Sequence, residues 1–154
     1  MSASEAAVDI YPMPSFVVLQ VHDLAASSRW YLEALGFQHV FSIPPVGEPM
    51  LVHLRWAKYA DLLLRRELAP SDAAKGLGIS LNFSLSSGSV DDLANRAREY
   101  GAKIVSEPTN QPWNARDFTV QDPDGFRLTF TQGPVEKELG MDEIIARSKG
   151  WKQD

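Results

Sequence analysis

Residues 21–37 read VHDLAASSRWYLEALGF and contain a complete helix signal. Asp23 is the predicted N-cap, because its short acceptor side chain can bind a free backbone N–H in the first helical turn. A helix is predicted from about Leu24 to Leu35, with Gly36 at the position where a left-handed residue ends it. This stretch therefore predicts one capped helix, around which the neighbouring elements can be placed.

Four apolar stretches around this helix predict strands. One precedes the helix and three follow it, and they are Ser15–Val21, Phe37–Ile43, Met50–Trp56 and Asp61–Arg66. The order of one strand, one helix and three strands predicts a βαβββ module over about residues 15–67.

The same order of elements occurs a second time. Residues 68–77 gather proline, serine, alanine and glycine and are the predicted linker. The strands predicted after it are Ile79–Leu85, Lys103–Ser106, Asp117–Gln121 and Phe126–Thr131, with a helix from Val90 to Tyr100. The chain is therefore predicted to be a single α+β domain of two tandem βαβββ modules, the second over about residues 78–132. Residues 133–154 form an extension, with a helix expected from about Val135 to Arg147.

Composition and charge argue against several classes of protein and partner. The 154 residues include 20 acidic and 15 basic side chains, a net charge of -5, and no cysteine. Scattered basic residues in an acidic chain argue against a nucleic-acid partner, and the lack of cysteine excludes disulfides and thiolate chemistry. No apolar run approaches the roughly 20 residues that span a bilayer. Residues 1–10 have no signal-peptide pattern, so a cytoplasmic protein without a membrane partner is expected.

Three stretches of the chain resemble one known family. Residues 21–37 are similar to its junction of a strand ending V-x-D with a helix ending FY-x-x-x-LGF. Residues 111–118 (QPWNARDF) and 122–130 (DPDGFRLTF) together resemble the PWG-x-R-x-F and DPDG-N signature of bleomycin-resistance-like members. The chain thus resembles the vicinal-oxygen-chelate superfamily, which contains glyoxalases, bleomycin resistance proteins and extradiol dioxygenases.

This resemblance implies an architecture and a place for a functional site. The two modules would form an incurving eight-stranded mixed sheet around a cleft, and many members of the superfamily are homodimers. The enzymes of the superfamily bind one divalent metal ion in that cleft. Its ligands come from one position in the first strand and one in the last strand of each module.

The positions that the resemblance assigns to metal ligands do not carry metal-binding side chains. They fall on Phe16, on one of Leu62–Leu64, on Ser80 and on Thr129. Carbon side chains cannot coordinate a metal ion and neutral hydroxyls are poor ligands, so neither a metal nor another cofactor is expected. His53 is the weak remaining candidate for a displaced metal site, because a lone strand histidine is more often structural than a ligand.

Without a metal, the same inward positions would line a binding cleft. The expected ligand-binding residues combine apolar, aromatic and neutral polar side chains, and they are Phe16, Val18, Gln20, Trp56, Ser80, Asn82, Trp113, Thr129 and Thr131. Such a mixture suits a planar organic molecule with polar edges. No catalytic residue is assigned. His53, Asp117 and Glu67 are the titratable groups expected near the cleft, at positions that the sequence leaves open.

Two further features bear on a drug-binding function. Members that sequester cationic bleomycin-type antibiotics use a groove at the dimer interface and an N-terminal arm with a proline. Residues 11–14 (YPMP) are either such an arm or an ordinary extended lead-in. The chain departs from the drug-binding pattern in having Asn114 where glycine is usual, and in its extension from Gly133 onward.

The leading interpretation is a metal-free antibiotic resistance protein that sequesters a small organic molecule, expected to be aromatic and cationic, as a cytoplasmic homodimer. The alternative is a lyase, isomerase or dioxygenase of the same superfamily with a displaced metal site or none. A third interpretation is a structural module in which Phe16 and Val18 fill the cleft. Trp56 and Trp113 likewise either contact a ligand or pack within the protein.

Overall fold

The structure is a computed structural model that describes residues 8–151. Residues 1–7, where no signal peptide is expected, and residues 152–154, the end of the predicted extension, lie outside the described residues. The chain divides into two compact units between Ser71 and Asp72. This boundary falls in the stretch interpreted as a linker, and each unit has its own four-stranded sheet.

Unit 1 contains the first βαβββ module, as predicted. Its elements in chain order are β1 (Val17–Val21), α1 (Leu24–Leu35), β2 (Gln38–Ile43), β3 (Leu51–Ala57) and β4 (Ala60–Arg66). The strands lie in the order β1-β4-β3-β2, with β1 parallel to β4 and the other neighbours antiparallel.

Helix α1 begins and ends at the predicted residues. The Asp23 side chain accepts a hydrogen bond from the Ala26 N–H at 3.0 Å, and Gly36 has a φ of 79°. Both groups satisfy helix-end requirements that the sequence pattern indicated. The helix buries Tyr31 and Leu35 against the sheet at 0% and 1% exposure.

Unit 2 contains the second module and the extension. Its elements are β5 (Ser80–Ser84), α2 (Val90–Glu99), β6 (Lys103–Gln111), β7 (Ala115–Gln121), β8 (Arg127–Gln132) and α3 (Met141–Ser148). The strands lie in the order β5-β8-β7-β6, with β5 parallel to β8. The two units therefore have the same strand order and the same mixture of parallel and antiparallel neighbours.

The turn between β7 and β8 is built by its first aspartate. Asp122 accepts hydrogen bonds from the backbone N–H groups of Asp124 at 2.9 Å and Phe126 at 2.8 Å. The loop that leads into β5 packs beside this turn, because a Cβ added to Gly76 would lie 3.0 Å from the Phe126 Cα. These contacts fix the start of β8.

Strand β6 is longer than predicted. The predicted strand ends at Ser106, two residues before Pro108, which cannot donate a ladder hydrogen bond. In the structure the pairing with β7 shifts between Ser106 and Thr109 and then continues to Gln111. Because β6 is an edge strand, the irregularity absorbs the proline and the strand resumes beyond it.

Helix α3 begins at Met141, so the prediction that it starts near Val135 is wrong. Asn114 Oδ1 accepts a hydrogen bond from the Glu136 N–H at 2.8 Å, and Asn114 Nδ2 donates to the Glu136 carbonyl at 2.7 Å. Both backbone groups of Glu136 are therefore engaged by a side chain instead of a helical turn. Within residues 8–151, no helix is both long and apolar enough to cross a membrane.

Candidate functional site

Each sheet has one face covered by the helix of its own unit and one distal face, which is turned away from that helix. In β1, Leu19 and Val21 are buried toward α1 at 5% and 0% exposure, whereas Val18 between them is 44% exposed. Because side chains alternate along a strand, Val18 and Gln20 lie on the distal face of unit 1. Phe16 immediately precedes β1 and is 49% exposed.

The strand pairing continues the row that begins at Val18. Val18 pairs with Leu63, Leu63 with His53, and His53 with Phe41. The rings of Phe41 and His53 meet edge to face with their centroids 4.9 Å apart. The structure thus settles the register that the sequence left open, because Leu63 lies on the distal face and both of its neighbours are buried toward α1.

A buried charge cluster lies beside this row in unit 1. The Asp61 carboxylate accepts hydrogen bonds from His53 Nε2 at 2.7 Å, from Arg55 Nε at 2.9 Å and from Arg55 Nη2 at 2.9 Å. The side chains of His53, Arg55 and Asp61 are 4%, 8% and 0% exposed. An ionised carboxylate only accepts hydrogen bonds, so His53 carries its proton on Nε2 in this arrangement.

The partners of Asp61 determine its protonation. Burial alone would raise the pKa of this carboxyl, but the hydrogen bonds from Arg55 and His53 outweigh it and hold the pKa below the ordinary value. The hydrogen bonds that Arg55 donates to Asp61 in turn raise the pKa of Arg55. The cluster is therefore an ionised, internally compensated network.

The N-terminal segment packs against this cluster in its own unit. Arg55 Nη1 donates to the Asp9 carbonyl at 2.6 Å, and the Arg55 guanidinium lies 4.4 Å from the centre of the Tyr11 ring. The Tyr59 backbone N–H donates to the Tyr11 hydroxyl at 2.8 Å. These residues border a cavity of about 640 Å³ that Gln38 and Lys58 also line. Tyr11, which belongs to the candidate arm, therefore packs against unit 1.

The two predicted tryptophans make ring contacts with other aromatic side chains. Trp56 packs on Phe37 with ring centroids 5.4 Å apart, on the side of the sheet that faces α1. Trp113 is 40% exposed in the turn between β6 and β7 and meets Trp151 edge to face at 5.1 Å. The structure therefore does not bring Trp56 together with Val18 and Gln20.

The distal face of unit 2 gathers the remaining predicted residues. Asn82 pairs with Thr129, and Thr129 pairs with Thr119 of β7, which the sequence reasoning did not include. The hydroxyl of Thr129 lies 2.8 Å from that of Thr119 and 3.5 Å from that of Ser80. Thr131 continues the row along β8. The structure brings these side chains into one strip of uncharged hydroxyl and amide groups.

Asp117 lies at one end of this strip. It pairs with Thr131 on β8 and with Thr109 on β6, and it is 9% exposed. Its Oδ1 accepts a hydrogen bond from Gln111 Nε2 at 2.9 Å. Burial raises the pKa of the Asp117 carboxyl, and the bond from Gln111 lowers it only in part. Glu67, the third titratable candidate, instead lies 3.0 Å from His22 in unit 1.

The expected metal-ligand positions do not fit a divalent metal ion. Phe16 and Leu63 present carbon, and Ser80 and Thr129 present neutral hydroxyls. His53 uses its Nε2 on Asp61, and the same carboxylate already holds a guanidinium cation. Over residues 8–151, no three side chains among the histidines, aspartates and glutamates are grouped so that they could hold a metal ion.

Comparison with known proteins identifies the family. Residues 14–130 match the model of the Glyoxalase/Bleomycin resistance protein/Dioxygenase superfamily, and the chain belongs to this superfamily. The expected family and its two βαβββ modules are thereby confirmed. A search of curated proteins finds no match.

Several solved structures are similar in fold. TioX from Micromonospora sp. ML1 is 25% identical over 79% of this chain and 97% of its own, with a TM-score of 0.64. A glyoxalase/bleomycin resistance protein/dioxygenase family enzyme from Burkholderia phytofirmans PsJN is 21% identical over 79% and 98%, with a TM-score of 0.63. A glyoxalase/bleomycin resistance protein/dioxygenase from Nocardioides is 23% identical over 86% and 93%, with a TM-score of 0.59.

Proposed function

We propose that this protein binds a small organic molecule without chemical conversion and acts by sequestering it. The observation that carries the proposal is the uncharged strip on unit 2, where Asn82, Thr129 and Thr119 lie on one row of the sheet. Hydroxyl and amide groups can both donate and accept hydrogen bonds, so the strip can match the polar edge of a planar ligand.

The distal face of unit 1 offers a different kind of contact. Phe16 and Val18 are about half exposed, and the Leu63 side chain lies next to Val18 across the strand pair. Covering about 100 Å² of such apolar surface would contribute on the order of 2.5 kcal/mol. These residues remain proposed ligand contacts, and their exposure favours binding over the interpretation of a filled structural module.

A metal-free mode of action is part of the proposal. The chemistry of the residues at the superfamily's ligand positions supports it, because Phe16, Leu63, Ser80 and Thr129 supply no anionic or imidazole donor. In unit 1 the His53–Asp61 pair is already compensated by Arg55. Neither site presents a histidine with an open carboxylate partner, so binding accounts for the arrangement better than acid–base catalysis does.

The ligand type, the oligomeric state and the location are proposed from the sequence signature. The QPWNARDF and DPDGFRLTF stretches resemble those of bleomycin-resistance-like members, so we propose an antibiotic-like ligand and a cytoplasmic homodimer. The left-handed φ of 65° at Asn114 supports this comparison. Asparagine tolerates that conformation better than most residues, so it can replace the glycine that is usual at this position.

Titration calorimetry tests the proposal directly. Purified protein is titrated with a bleomycin-type glycopeptide and with a panel of planar antibiotics, and saturable binding near one molecule per chain is expected. Thr129→Val keeps the side-chain volume but removes a hydroxyl from the strip, so it should weaken binding about fivefold. Ser148→Ala is the matched control, because that hydroxyl bonds within α3 to the Ile144 carbonyl.

Two results would contradict the proposal. One is the absence of saturable binding to every compound, together with an unchanged thermal midpoint. The other is conversion of a bound compound into a product at a rate proportional to protein concentration, which would instead support the lyase, isomerase or dioxygenase alternative.

A further inference from the structure

We propose that Asp117 is the residue that recognises a positively charged group on the bound molecule. The inference rests on the proposed binding function and adds the residue that determines specificity. It follows from the position of one buried carboxylate on the distal face of unit 2.

The strand geometry directs Asp117 to the distal face. Phe118 and Val120, its neighbours of opposite parity in β7, are both 0% exposed on the side of α2. Arg116 also has that parity, and its guanidinium donates twice to Asp91 of α2, each time at 2.8 Å. Asp117 therefore shares a face with Thr119 and the uncharged strip, while the cation next to it in sequence lies on the other side.

No cation of unit 2 compensates this carboxylate within the described residues. Its hydrogen-bond donor is the neutral amide of Gln111. The nearest basic residues on the same face of the sheet are Lys103 and Arg127, which both pair with Gln121. Gln121 is four residues further along β7, roughly 13 Å away at the rise of a strand. The residues that pair with Asp117 on the adjacent strands are Thr109 and Thr131, which are uncharged like Gln111.

A carboxylate in these surroundings is unfavourable for folding alone. Removing a charge from water costs free energy unless an opposite charge or several donors replace the lost solvation. An asparagine would bond to Gln111 without that cost. A ligand ammonium or guanidinium group would supply the missing charge and a charge-assisted hydrogen bond. The raised pKa of Asp117 agrees with this uncompensated state of the free protein.

The surroundings favour an organic cation over a metal ion. A metal ion needs several anionic or imidazole donors, whereas an alkylammonium group needs one carboxylate and one or two neutral acceptors. The hydroxyls of Thr109 and Thr131 are such neutral groups.

Three probes that share one ring separate charge from shape. Tryptamine, tryptophol and indole-3-acetate carry a cationic, a neutral and an anionic side chain, and each is titrated calorimetrically into the full chain. Tryptamine should bind at least about tenfold more tightly than tryptophol. Asp117→Asn should abolish that preference and leave tryptophol affinity within about twofold. Asp92→Asn is the control, because it changes the net charge equally at an exposed position of α2.

The results separate this inference from the proposed function. If all indoles bind equally, or if Asp117→Asn retains the preference for tryptamine, recognition by Asp117 is wrong while the binding function stands. If none of them binds, and tryptamine at millimolar concentration does not lower the Asp117 pKa measured by NMR, the inference is overturned. The proposed function then depends on the antibiotic titration alone. A native circular dichroism spectrum of Asp117→Asn excludes misfolding as the cause of lost binding.

Discussion

Unit 1 and unit 2 each contain a buried aspartate on the distal face of a sheet with the same strand order. Asp61 in unit 1 is surrounded by Arg55 and His53, whose hydrogen bonds outweigh the effect of burial on its pKa. Asp117 in unit 2 has only the neutral donor Gln111, and burial raises its pKa. The two sheets have the same topology, but the Asp61 carboxylate has a cationic partner and the Asp117 carboxylate has a neutral one. Asp61 therefore stabilises the fold, whereas Asp117 is available to a ligand.

The paired residues on the two distal faces also differ in polarity. Each unit has a row of three paired residues that crosses its first, fourth and third strands on the distal face. In unit 1 this row is Val18, Leu63 and His53, and in unit 2 it is Asn82, Thr129 and Thr119. The first set is largely apolar, and its titratable member is already paired. The second set is wholly polar and uncharged. Specific recognition of a polar ligand is therefore expected mainly from unit 2.

The greatest loss of stability is expected when the cluster of Asp61, Arg55 and His53 is broken. Asp61→Asn would leave the Arg55 guanidinium buried without its counter-charge, and it should lower the free energy of unfolding by about 3 kcal/mol. Chemical denaturation at neutral pH measures the change. Asp117→Asn is the matched comparison and should change stability by less than about 1 kcal/mol. Equal losses in the two variants would remove the distinction between the carboxylates.

A smaller loss of stability is expected from substitution of Asn114, whose side chain bonds to the Glu136 backbone. Asn114→Ala removes both bonds to the Glu136 backbone and places a Cβ-bearing residue without a polar side chain at a positive φ. It should lower the free energy of unfolding by about 1.5 kcal/mol. Asn114→Gly loses the bonds but tolerates the conformation, so its loss in thermal denaturation should be smaller. A larger loss for glycine than for alanine would refute this explanation.

The smallest expected effect is the pH dependence of stability. Because its folded pKa is lowered, Asp61 stabilises the protein fully above the ordinary pKa of 3.8, and this contribution is lost as the pH falls through the folded pKa. Asp117 has a raised folded pKa, so its contribution is greatest below 3.8 and declines as the pH rises through the folded pKa. Wild type should therefore lose stability relative to Asp117→Asn as the pH rises above about 4. A constant difference would contradict the raised pKa.

The sequence predicted the fold well where local signals were strong. Asp23 and Gly36 defined α1 to the residue, and the DPDG turn defined the β7–β8 hairpin. The extent of β6 and the start of α3 were missed, because they depend on edge pairing beyond Pro108 and on the contact between Asn114 and Glu136. Such interactions join distant positions and leave no local periodicity.

The candidate site was only partly predictable. Alternation along strands placed Val18, Asn82 and Thr129 on distal faces, but Trp56 lies on the opposite side of its sheet, against Phe37. The Arg55–Asp61 pair could have been found, because these residues face each other across the short β3–β4 turn. The neutral partner of Asp117 could not be found in this way, because Gln111 lies in the unpredicted part of β6 and contacts Asp117 through its side chain.

A carbon-detected NMR titration of the carboxyl groups in the wild-type protein measures the difference between the two aspartates. It measures the pKa values of Asp61 and Asp117 in one sample, with assignments made from Asp61→Asn and Asp117→Asn. We expect an Asp61 pKa below 3.8 and an Asp117 pKa above 3.8, with the Asp117 pKa falling when an organic cation is bound. An Asp117 pKa at or below 3.8 in the free protein would contradict this expectation.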